Sequence, residues 1–404
     1  MTAPTFESIP EKRVPDIDRC INKYIYDQTF SAAACMASIG ANVFHRASYG
    51  TLLKPPPLKK TQPGVLFDLA SLTQPLATGL AALYLVSRSR MDLGAPLSTT
   101  LPEFRTPIFE KITLDMLLDH TSGLAPMGKW AEKVALHDAK TSPADRLMGT
   151  PKAIDFLKNQ VAASQPTHEP GKRFLYSQAG PMILGWVIEH ITGKRLDDFL
   201  MREIYRPLGL HEQLFFIRLD DLRARSFLRR RAFAAMHTCE WRDKLIQGEV
   251  SDDTAWAMGG VAGHAGLFGT VEAVWLILYH LWASYKGIER TFLAGAVRRF
   301  WTPSRRIRGL TRTLGWDTPT VNQASCGKRF SRNSIGEVGN GGSSIWLDLS
   351  SDVFGVVLTN QKHMDEDSSR DALATFRPRV YELISKEGES LPPDATQKRG
   401  SAAF

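Results

Sequence analysis

The stretch from Phe67 to Leu85 places a serine and a glutamine three residues apart, where an extended segment gives way to an apolar, helix-like pattern. Ser71 followed by Gln74 fits a capping box, in which the two side chains satisfy free backbone N–H groups at a helix start. The same position suits a nucleophile, because oriented N–H groups and the positive end of the helix dipole stabilise the oxyanion that its attack creates. The residues of this stretch alone leave both interpretations open.

Hydrophobic periodicity predicts strands near both ends of the chain. Residues 16–30 have apolar residues at helical spacing, and two strand-like runs follow around Gly40. Residues 343–360 contain two further β-rich runs around a polar turn, and 368–386 predict a last helix that Pro378 interrupts. The simplest packing joins the terminal hairpins in one antiparallel sheet, flanked by the first and last helices.

The middle of the chain, from Ser71 to about residue 300, is predicted to be mostly helical. Leu76, Leu80 and Leu83 recur at the spacing of one helix face, and later segments repeat such stripes until Gly or Pro ends them. The predicted fold class is therefore α+β, with a large α-rich block inserted between the two halves of the sheet.

Composition describes an ordinary globular protein of 404 residues, with 43% hydrophobic and 23% charged residues and a net charge of +8. The arginine-rich runs at 222–231 and 298–312 are interpreted as solvated faces, and no nucleic-acid partner is expected. Four cysteines without a C-x-x-C spacing predict neither a metal site nor a disulfide scaffold. The first residues lack a signal-peptide pattern and no apolar run is long enough to span a bilayer, so a cytoplasmic location is expected.

Several stretches, in order and spacing, together resemble the serine β-lactamase and penicillin-binding-protein superfamily, in its class C, DD-peptidase and esterase branch. They are FDLASLTQPLAT, ITLDMLLDHTSGL, FLYSQAGPMILGWVIEHITGK, AWAMGGVAGHAGLFGT and IGEVGNGGSSIWLDLSSDVFGVVLTN. The resemblance covers roughly residues 17–385. It implies the β-lactamase/transpeptidase-like fold, with a sheet subdomain at about 17–66 and 305–388 and the α-rich insertion at about 67–304. A polar tail at 1–16 and a disordered tail at 389–404 complete the predicted organisation.

The chemistry implied by the resemblance is acyl transfer without a cofactor or metal. The S-x-x-K motif of the family places the nucleophile at Ser71, and its Y-x-N motif places a phenolic base at Tyr176. Oxyanion donors would be the backbone N–H of Ser71 and one near Asn340 or Gly341 on the closing strand. The predicted binding residues are Gln74, Gln178, Gly339, Asn340 and Gly341.

Three positions depart from the pattern of the family. Gln74 occupies the lysine position of S-x-x-K, Gln178 the asparagine position of Y-x-N, and Glu337 the Lys or His position of the closing triad. Because neither Gln74 nor Glu337 supplies a cation, Tyr176 is expected to remain a phenol. Glu337 is also expected to repel carboxylate ligands such as penicillins, although it could itself serve as an altered base.

Two functions follow from the resemblance and the departures. The first is a serine hydrolase of weak or altered activity that acts by acyl transfer on an ester, amide or peptide-like substrate. The second is a non-catalytic descendant that keeps the cleft for binding a ligand or partner. His120 and His264 are interpreted as histidines hydrogen-bonded to backbone, and the glycines around 259–266 as tight turns. The sequence leaves the oligomeric state and the substrate open.

Overall fold

The computed structural model describes residues 10–53, 59–126, 128–221, 229–320, 324–361 and 366–391. Its strands are β1 (Phe30–Ile39), β2 (Asn42–Gly50), β3 (Phe67–Asp68), β4 (Leu214–Phe216), β5 (Thr238–Cys239), β6 (Lys244–Leu245), β7 (Leu267–Gly269), β8 (Ser334–Val338), β9 (Gly342–Asp348) and β10 (Val353–Gln361).

The helices alternate with these strands and fill the middle of the chain. They are α1 (Pro15–Tyr26), α2 (Leu80–Ser87), α3 (Leu97–Thr100), α4 (Leu114–Leu118), α5 (Trp130–Asp138), α6 (Lys152–Ala162), α7 (Ala179–Thr192), α8 (Leu196–Leu200), α9 (Asp253–Ala257), α10 (Val271–Tyr285), α11 (Ala294–Trp301) and α12 (Glu366–Ser390). Short 3₁₀ turns and two π-helical turns, Gln74–Gly79 and Met201–Tyr205, join several of them.

The main sheet has five antiparallel strands in the order β2-β1-β10-β9-β8. Its centre joins the two ends of the chain, because Ala33 and Cys35 of β1 pair with Thr359 and Val357 of β10. Every residue of β1 is buried, since helices cover both faces of the sheet. The predicted pairing of the terminal hairpins and the α+β fold class are confirmed.

One face of the sheet is covered by α1 and α12, the first and last helices. Pro15 begins α1, a position at which the missing N–H of proline leaves no helical bond unmade. The last helix continues through Pro378, so the prediction that this proline interrupts it is wrong. The buried Phe376 and Tyr381 flank the proline and pack on the sheet core, which stabilises the helix on both sides of it.

The opposite face of the sheet packs against α10, whose apolar residues are buried around the whole helix. Two indole N–H groups of this helix find polar partners in the sheet. Trp275 donates to Ser38 at 2.8 Å and Trp282 donates to Asp352 at 2.7 Å. These bonds satisfy polar atoms that burial would otherwise leave unpaired.

A second, three-stranded sheet lies inside the α-rich block and supports the segment that carries Ser71. Its order is β3-β7-β4, with Phe67 and Asp68 paired to β7. The chain leaves β3 through a 3₁₀ turn at Ala70–Leu72 and the π-helical turn before entering α2. Tyr205 donates to the carbonyl of Leu76 at 3.0 Å, inside the π-helical turn.

The remaining expectations concern the ends of the chain and its surface. The predicted tails at 1–16 and 389–404 are described only from residue 10 and only to residue 391, and they stay predictions. Of the arginine-rich run at 222–231, residues 222–228 lie outside the described part. All four cysteines are buried and free. In the described ranges, each helix is too short or too polar to cross a lipid bilayer.

Candidate active site

Ser71 lies in a tight turn that a buried carboxylate holds in place. Asp68 accepts hydrogen bonds from the N–H of Ala70 at 2.9 Å and from the N–H of Ser251 at 2.7 Å. Ala70 has a φ of 47°, a left-handed conformation that is costly for a residue with a Cβ. Asp68 therefore stabilises a strained turn immediately before Ser71 and ties it to the loop that precedes α9.

The capping-box interpretation of Ser71 and Gln74 is wrong. Neither the 3₁₀ turn nor the π-helical turn that follows has a side-chain cap. Gln74 is buried and directs its amide to the phenol of Tyr176, to which Nε2 donates at 2.5 Å. The glutamine therefore occupies the place of the motif lysine without supplying its charge.

Tyr176 connects Ser71 to Gln74 and keeps its proton. Burial raises the pKa of the phenol, and the negative charge of Glu337 raises it further. Hydrogen bonds from Ser71 and Gln74 and the positive charge of Arg312 lower the pKa, but they do not outweigh burial. The raised pKa agrees with the expectation that Tyr176 remains a phenol near neutral pH.

The charge that was missing from the sequence pattern is supplied by Arg312. Its Nη1 lies 2.5 Å from an Oε2 oxygen of Glu337, and both side chains are almost completely buried, at 8% and 2% exposed. The guanidinium carbon lies 5.9 Å from the ring centre of Tyr176. Gln74 and Glu337 supply no cation, as expected, but a residue from the second arginine-rich run, interpreted from the sequence as a solvated face, is buried within the site.

The pairing also corrects the expected role of Glu337. Its carboxylate accepts from Arg312 and from the N–H of Val338, and within the described ranges it makes no hydrogen bond to Tyr176 or Ser71. A bare carboxylate facing the ligand was expected, whereas the pair with Arg312 neutralises most of that charge. The argument that Glu337 repels carboxylate ligands therefore loses its basis.

Asp317 adds a second carboxylate to this cluster. It lies 3.7 Å from Nε of Arg312. Burial raises its pKa to about 6, the charge of Glu337 raises it as well, and Arg312 and the N–H of Thr318 oppose the rise. For Arg312, burial lowers the pKa, but the attraction of Glu337 and Asp317 outweighs it, and the guanidinium stays charged.

The turn between β8 and β9 is held from behind by a second buried arginine. Arg377 of α12 donates to the carbonyl of Gly339 at 2.7 Å. Burial lowers the pKa of Arg377 to about 10, against the attraction of Tyr381 and Glu337. The N–H of Gly339 is taken by Ser343, whereas no described group accepts from the N–H of Asn340 or Gly341. Those two N–H groups are thus free to act as oxyanion donors.

Part of the predicted site lines one cleft with a free volume of about 190 Å³. It is lined by Ala70, Ser71, Gln178, Met236, His237, Ser251, Asp252, His264, Ala265, Asn340 and Gly341. Of the predicted site residues, Ser71, Gln178, Asn340 and Gly341 form part of its wall. Gln74 and Tyr176 lie behind Ser71. Glu337 and Gly339 lie at the end of β8 and in the turn that follows it.

The two histidines singled out in the sequence differ in their surroundings. Nδ1 of His120 accepts from the backbone N–H of Ser177 at 3.3 Å, as predicted, and burial together with Arg312 lowers the pKa of His120 to about 3. Nε2 of His264 instead lies 3.0 Å from the carboxylate of Asp252, so the prediction of a backbone partner is wrong for this residue. Both His264 and Asp252 line the cleft.

Close packing explains the glycines near His264. A Cβ on Gly263 would lie 2.0 Å from the carbonyl oxygen of Pro181, and one on Gly260 would lie 2.2 Å from that of Ile217. These contacts agree with the expectation of tight turns and close backbone approach. No three His, Cys, Asp or Glu side chains converge as a metal-ligand group in the part of the chain that the structure describes.

The sequence of the chain matches one family of known proteins. The family described as Beta-lactamase matches residues 17–377. The chain belongs to the Beta-lactamase family. An N-acetylmuramyl-L-alanine amidase of Bacillus subtilis (strain 168) is 27% identical over 376 residues, which cover 87% of this chain and 82% of that protein. A putative D-alanyl-D-alanine carboxypeptidase of Escherichia coli (strain K12) is 27% identical over 390 residues, covering 88% and 86%.

The fold of this Beta-lactamase family chain also matches solved structures. EstCE1, described as a hydrolase with promiscuous acyltransferase activity, superposes with a TM-score of 0.66 at 18% identity. The match covers 91% of this chain and 98% of that one. The similarity confirms the β-lactamase/transpeptidase-like fold expected from the sequence motifs.

The residues that the sequence reasoning missed share one property, which is that distant segments bring them to the site. Arg312 was interpreted as part of a solvated run, and Arg377 and Asp252 were not singled out. A signal existed for Asp252, because an aspartate before a short helical run is a common helix cap, and it accepts from Ala255 at 2.8 Å. No local pattern marked Arg312 or Arg377.

Proposed function

We propose that the protein is a serine hydrolase that cleaves an ester, amide or peptide-like bond by acyl transfer to Ser71, with weak or altered activity. The observation that carries the proposal is the placement of Ser71. It lies beside Tyr176, whose pKa it lowers, and it shares one cleft wall with Asn340 and Gly341.

The turn around Ser71 supports its role as nucleophile. The clamp by Asp68 fixes the turn between β3 and the π-helical turn, so little rearrangement is needed when a carbonyl group approaches. Asn340 and Gly341 line the same cleft, and their N–H groups, which make no hydrogen bond within the described ranges, would stabilise the oxyanion. Removal of one such donor typically costs about 10² to 10³ in rate, so this feature carries much of the expected activity.

Proton transfer from Ser71 is the weak point of the proposed reaction. The hydroxyl of Ser71 lies beside the phenol of Tyr176, which would be the first acceptor along the path of the proton. Because burial and Glu337 raise the pKa of Tyr176, the phenolate is scarce, and loss of an efficient general base typically costs about 10² to 10⁴ in rate. We therefore expect slow acylation with activated esters and slower acylation with amides.

Peptide-like and ester substrates are favoured by the relatives and by the charges of the site. The two curated relatives are described as an amidase and a carboxypeptidase, and the fold relative EstCE1 as a hydrolase with acyltransferase activity. Since Arg312 pairs with Glu337, we expect the site to accept substrates with or without a carboxylate. A cleft of about 190 Å³ suits a small acyl group at Ser71.

A second candidate is a non-catalytic protein that keeps the cleft for binding. It is favoured by the pairing of two of the three substituted residues, because Gln74 donates to Tyr176 and Glu337 is held by Arg312. In such a protein Ser71 would hold a ligand without forming a bond to it. The cytoplasmic location expected from the sequence stays a prediction, which subcellular fractionation would check.

Covalent labelling separates the two candidates. The full chain is treated with a fluorophosphonate and with p-nitrophenyl esters, and its intact mass is followed. We expect an adduct on the native protein, none on Ser71→Ala, and an undiminished adduct on Ser87→Ala, which removes a serine hydroxyl of α2 outside the cleft. A folded native protein that forms no adduct with either reagent would refute the hydrolase and favour the binding protein.

A further inference from the structure

A histidine–carboxylate pair lines the same cleft as Ser71 and has no part in the acylation described above. Nε2 of His264 lies 3.0 Å from Oδ1 of Asp252, and His264 is 2% exposed. The other ring nitrogen, Nδ1, is buried and has no hydrogen-bond partner within the described ranges. An unpaired nitrogen of this kind is rare in a protein interior and needs an explanation.

The state of Asp252 determines which nitrogen of His264 is available. Burial raises the pKa of Asp252, but His264 and the N–H groups at the start of α9 lower it by more, and the carboxylate stays ionised. An ionised carboxylate can only accept, so Nε2 of His264 carries the hydrogen that it donates. In the neutral ring, Nδ1 then has a lone pair that can take up a proton.

The pair is fixed relative to Ser71 by the clamp that shapes the nucleophile turn. Asp68 bonds the N–H of Ala70, next to Ser71, and the N–H of Ser251, next to Asp252. The buried side chain of Arg242 donates to the same loop at the carbonyls of Val250 and Ser251, at 2.8 and 3.2 Å. Asp68 therefore ties the nucleophile turn directly to the loop that carries Asp252.

The chemistry of Ser71 requires a base of this kind in its second half. After acylation, water must lose a proton as it attacks the acyl carbon. Tyr176 is a phenol with a raised pKa, and the amide of Gln74 accepts no proton, so neither is suited to the task. An imidazole held by a carboxylate is the usual solution to this problem in hydrolases.

We propose that His264, oriented by Asp252, is the general base that activates water for hydrolysis of the acyl-Ser71 intermediate. The inference rests on the proposed function, because it needs an acyl group on Ser71. It assigns the two halves of the reaction to different groups, acylation to the Tyr176 side of the cleft and deacylation to the His264 side.

The protons and bonds of this step balance. Water attacks the acyl carbon while one of its protons moves to Nδ1 of His264. The bond between the acyl carbon and Oγ of Ser71 then breaks, and Oγ takes the proton of the Tyr176 hydroxyl. His264 releases its proton to water in the cleft, and Tyr176 regains one from the same source. The products are the free acid and the serine hydroxyl.

Pre-steady-state kinetics with p-nitrophenyl acetate tests the assignment, because the burst reports acylation and the steady state reports deacylation. In His264→Gln we expect the burst to stay within about 3-fold of the native rate and the steady state to fall about 10²- to 10⁴-fold. The acetyl-enzyme should accumulate in intact-mass spectra. In Asp252→Asn, which retains a capping side chain, we expect an intermediate loss of about 10-fold in the steady state.

Two further variants guard against a purely structural effect. His280→Gln removes a buried histidine that pairs with a carboxylate elsewhere, Glu289 at 2.7 Å, and should leave both kinetic phases unchanged. His264→Ala should recover turnover when imidazole is added, a response that lost packing would not produce.

Burst and steady state that fall together in His264→Gln, or a steady state that does not fall, would overturn the assignment. An absence of rescue in His264→Ala together with a native steady state in Asp252→Asn would overturn it as well. If the native protein forms no acyl-enzyme at all, the proposed hydrolase itself fails. If the native protein shows a burst and the His264 variants deacylate at the native rate, only the role of His264 fails.

Discussion

Removal of the buried cation at Arg312 should destabilise the protein strongly. Arg312→Met keeps much of the length of the side chain but leaves Glu337, at 2% exposed, with no opposite charge. Breaking a buried ion pair from one side typically costs about 3–5 kcal/mol. Because Arg312 is also less than a tenth exposed, solvent screening does not reduce this value appreciably.

The size of the effect follows from the geometry of the pair. Two charges about 4 Å apart attract by about 4 kcal/mol at an effective dielectric constant of about 20, in line with the range above. The unfolding entropy is about 2.1 cal/mol/K per residue, or about 0.85 kcal/mol/K for the whole chain. We therefore expect Arg312→Met to lower the Tm by about 4 to 6 °C.

The deficit should depend on pH in a defined direction. Without Arg312, the carboxylates of Glu337 and Asp317 repel each other without compensation, and the pKa of Asp317, which burial already raises, rises further. A group with a raised folded pKa contributes stability below its unfolded pKa and loses it as pH rises through the folded pKa. The deficit of Arg312→Met should consequently be largest at pH 7 to 8 and shrink toward pH 4.

Thermal and urea unfolding of the variants measure these quantities. Arg312→Met combined with Glu337→Leu should recover most of the lost stability, since it removes the buried carboxylate of Glu337 together with its partner and leaves only Asp317, whose raised pKa eases the uptake of a proton. Arg329→Met, which breaks an ion pair with Glu389 that is about half exposed on both sides, should cost less than about 1 kcal/mol. A loss below about 1 kcal/mol in Arg312→Met, or a double variant no more stable than the single one, would refute the reasoning.

Two further substitutions test the electrostatics of the cleft. Asp317→Asn should stabilise the protein by up to about 3 kcal/mol above pH 6, because the folded pKa of about 6 lies above the unfolded value of about 3.9. The gain should vanish toward pH 4. Urea unfolding between pH 4 and 8 measures it, and a stability difference between native protein and variant that does not change with pH would contradict it. Gln74→Lys should lower the pKa of Tyr176 and raise p-nitrophenyl ester turnover by less than about 10²-fold, because burial and Glu337 still oppose the phenolate. Efficient β-lactam hydrolysis by that single variant would contradict the second expectation.

The fold was predictable because its determinants are local. Strand-like runs separated by short polar turns, as at Gly40 and between β9 and β10, mark antiparallel hairpins, and apolar stripes mark helices. Motif order then identified the family and placed Ser71, Tyr176 and the turn after β8 near one another. The path through Pro378 was not predictable, because packing of its neighbours against the sheet outweighs the local cost of the proline.

The site was predictable in position but not in charge. Arg312 lies 25 residues from Glu337 in the chain, inside a run of arginines whose other members look the same in sequence. Whether such a side chain is solvated or buried depends on which segment packs over it, and composition carries no information about that. For the same reason, the sequence did not indicate that His264 pairs with Asp252, which lies 12 residues away in the chain.

The pairing of β1 with β10 has a consequence for how the protein is made. Ala33 pairs with Thr359, which is synthesised 326 residues later, so the centre of the sheet can form only when the chain is nearly complete. Contacts so distant in sequence slow folding, and until β10 emerges from the ribosome, the buried strand β1 has an open hydrogen-bonding edge. A nascent or prematurely terminated chain that lacks β10 should depend on chaperones and aggregate in their absence, whereas the completed chain closes that edge with its own last strand.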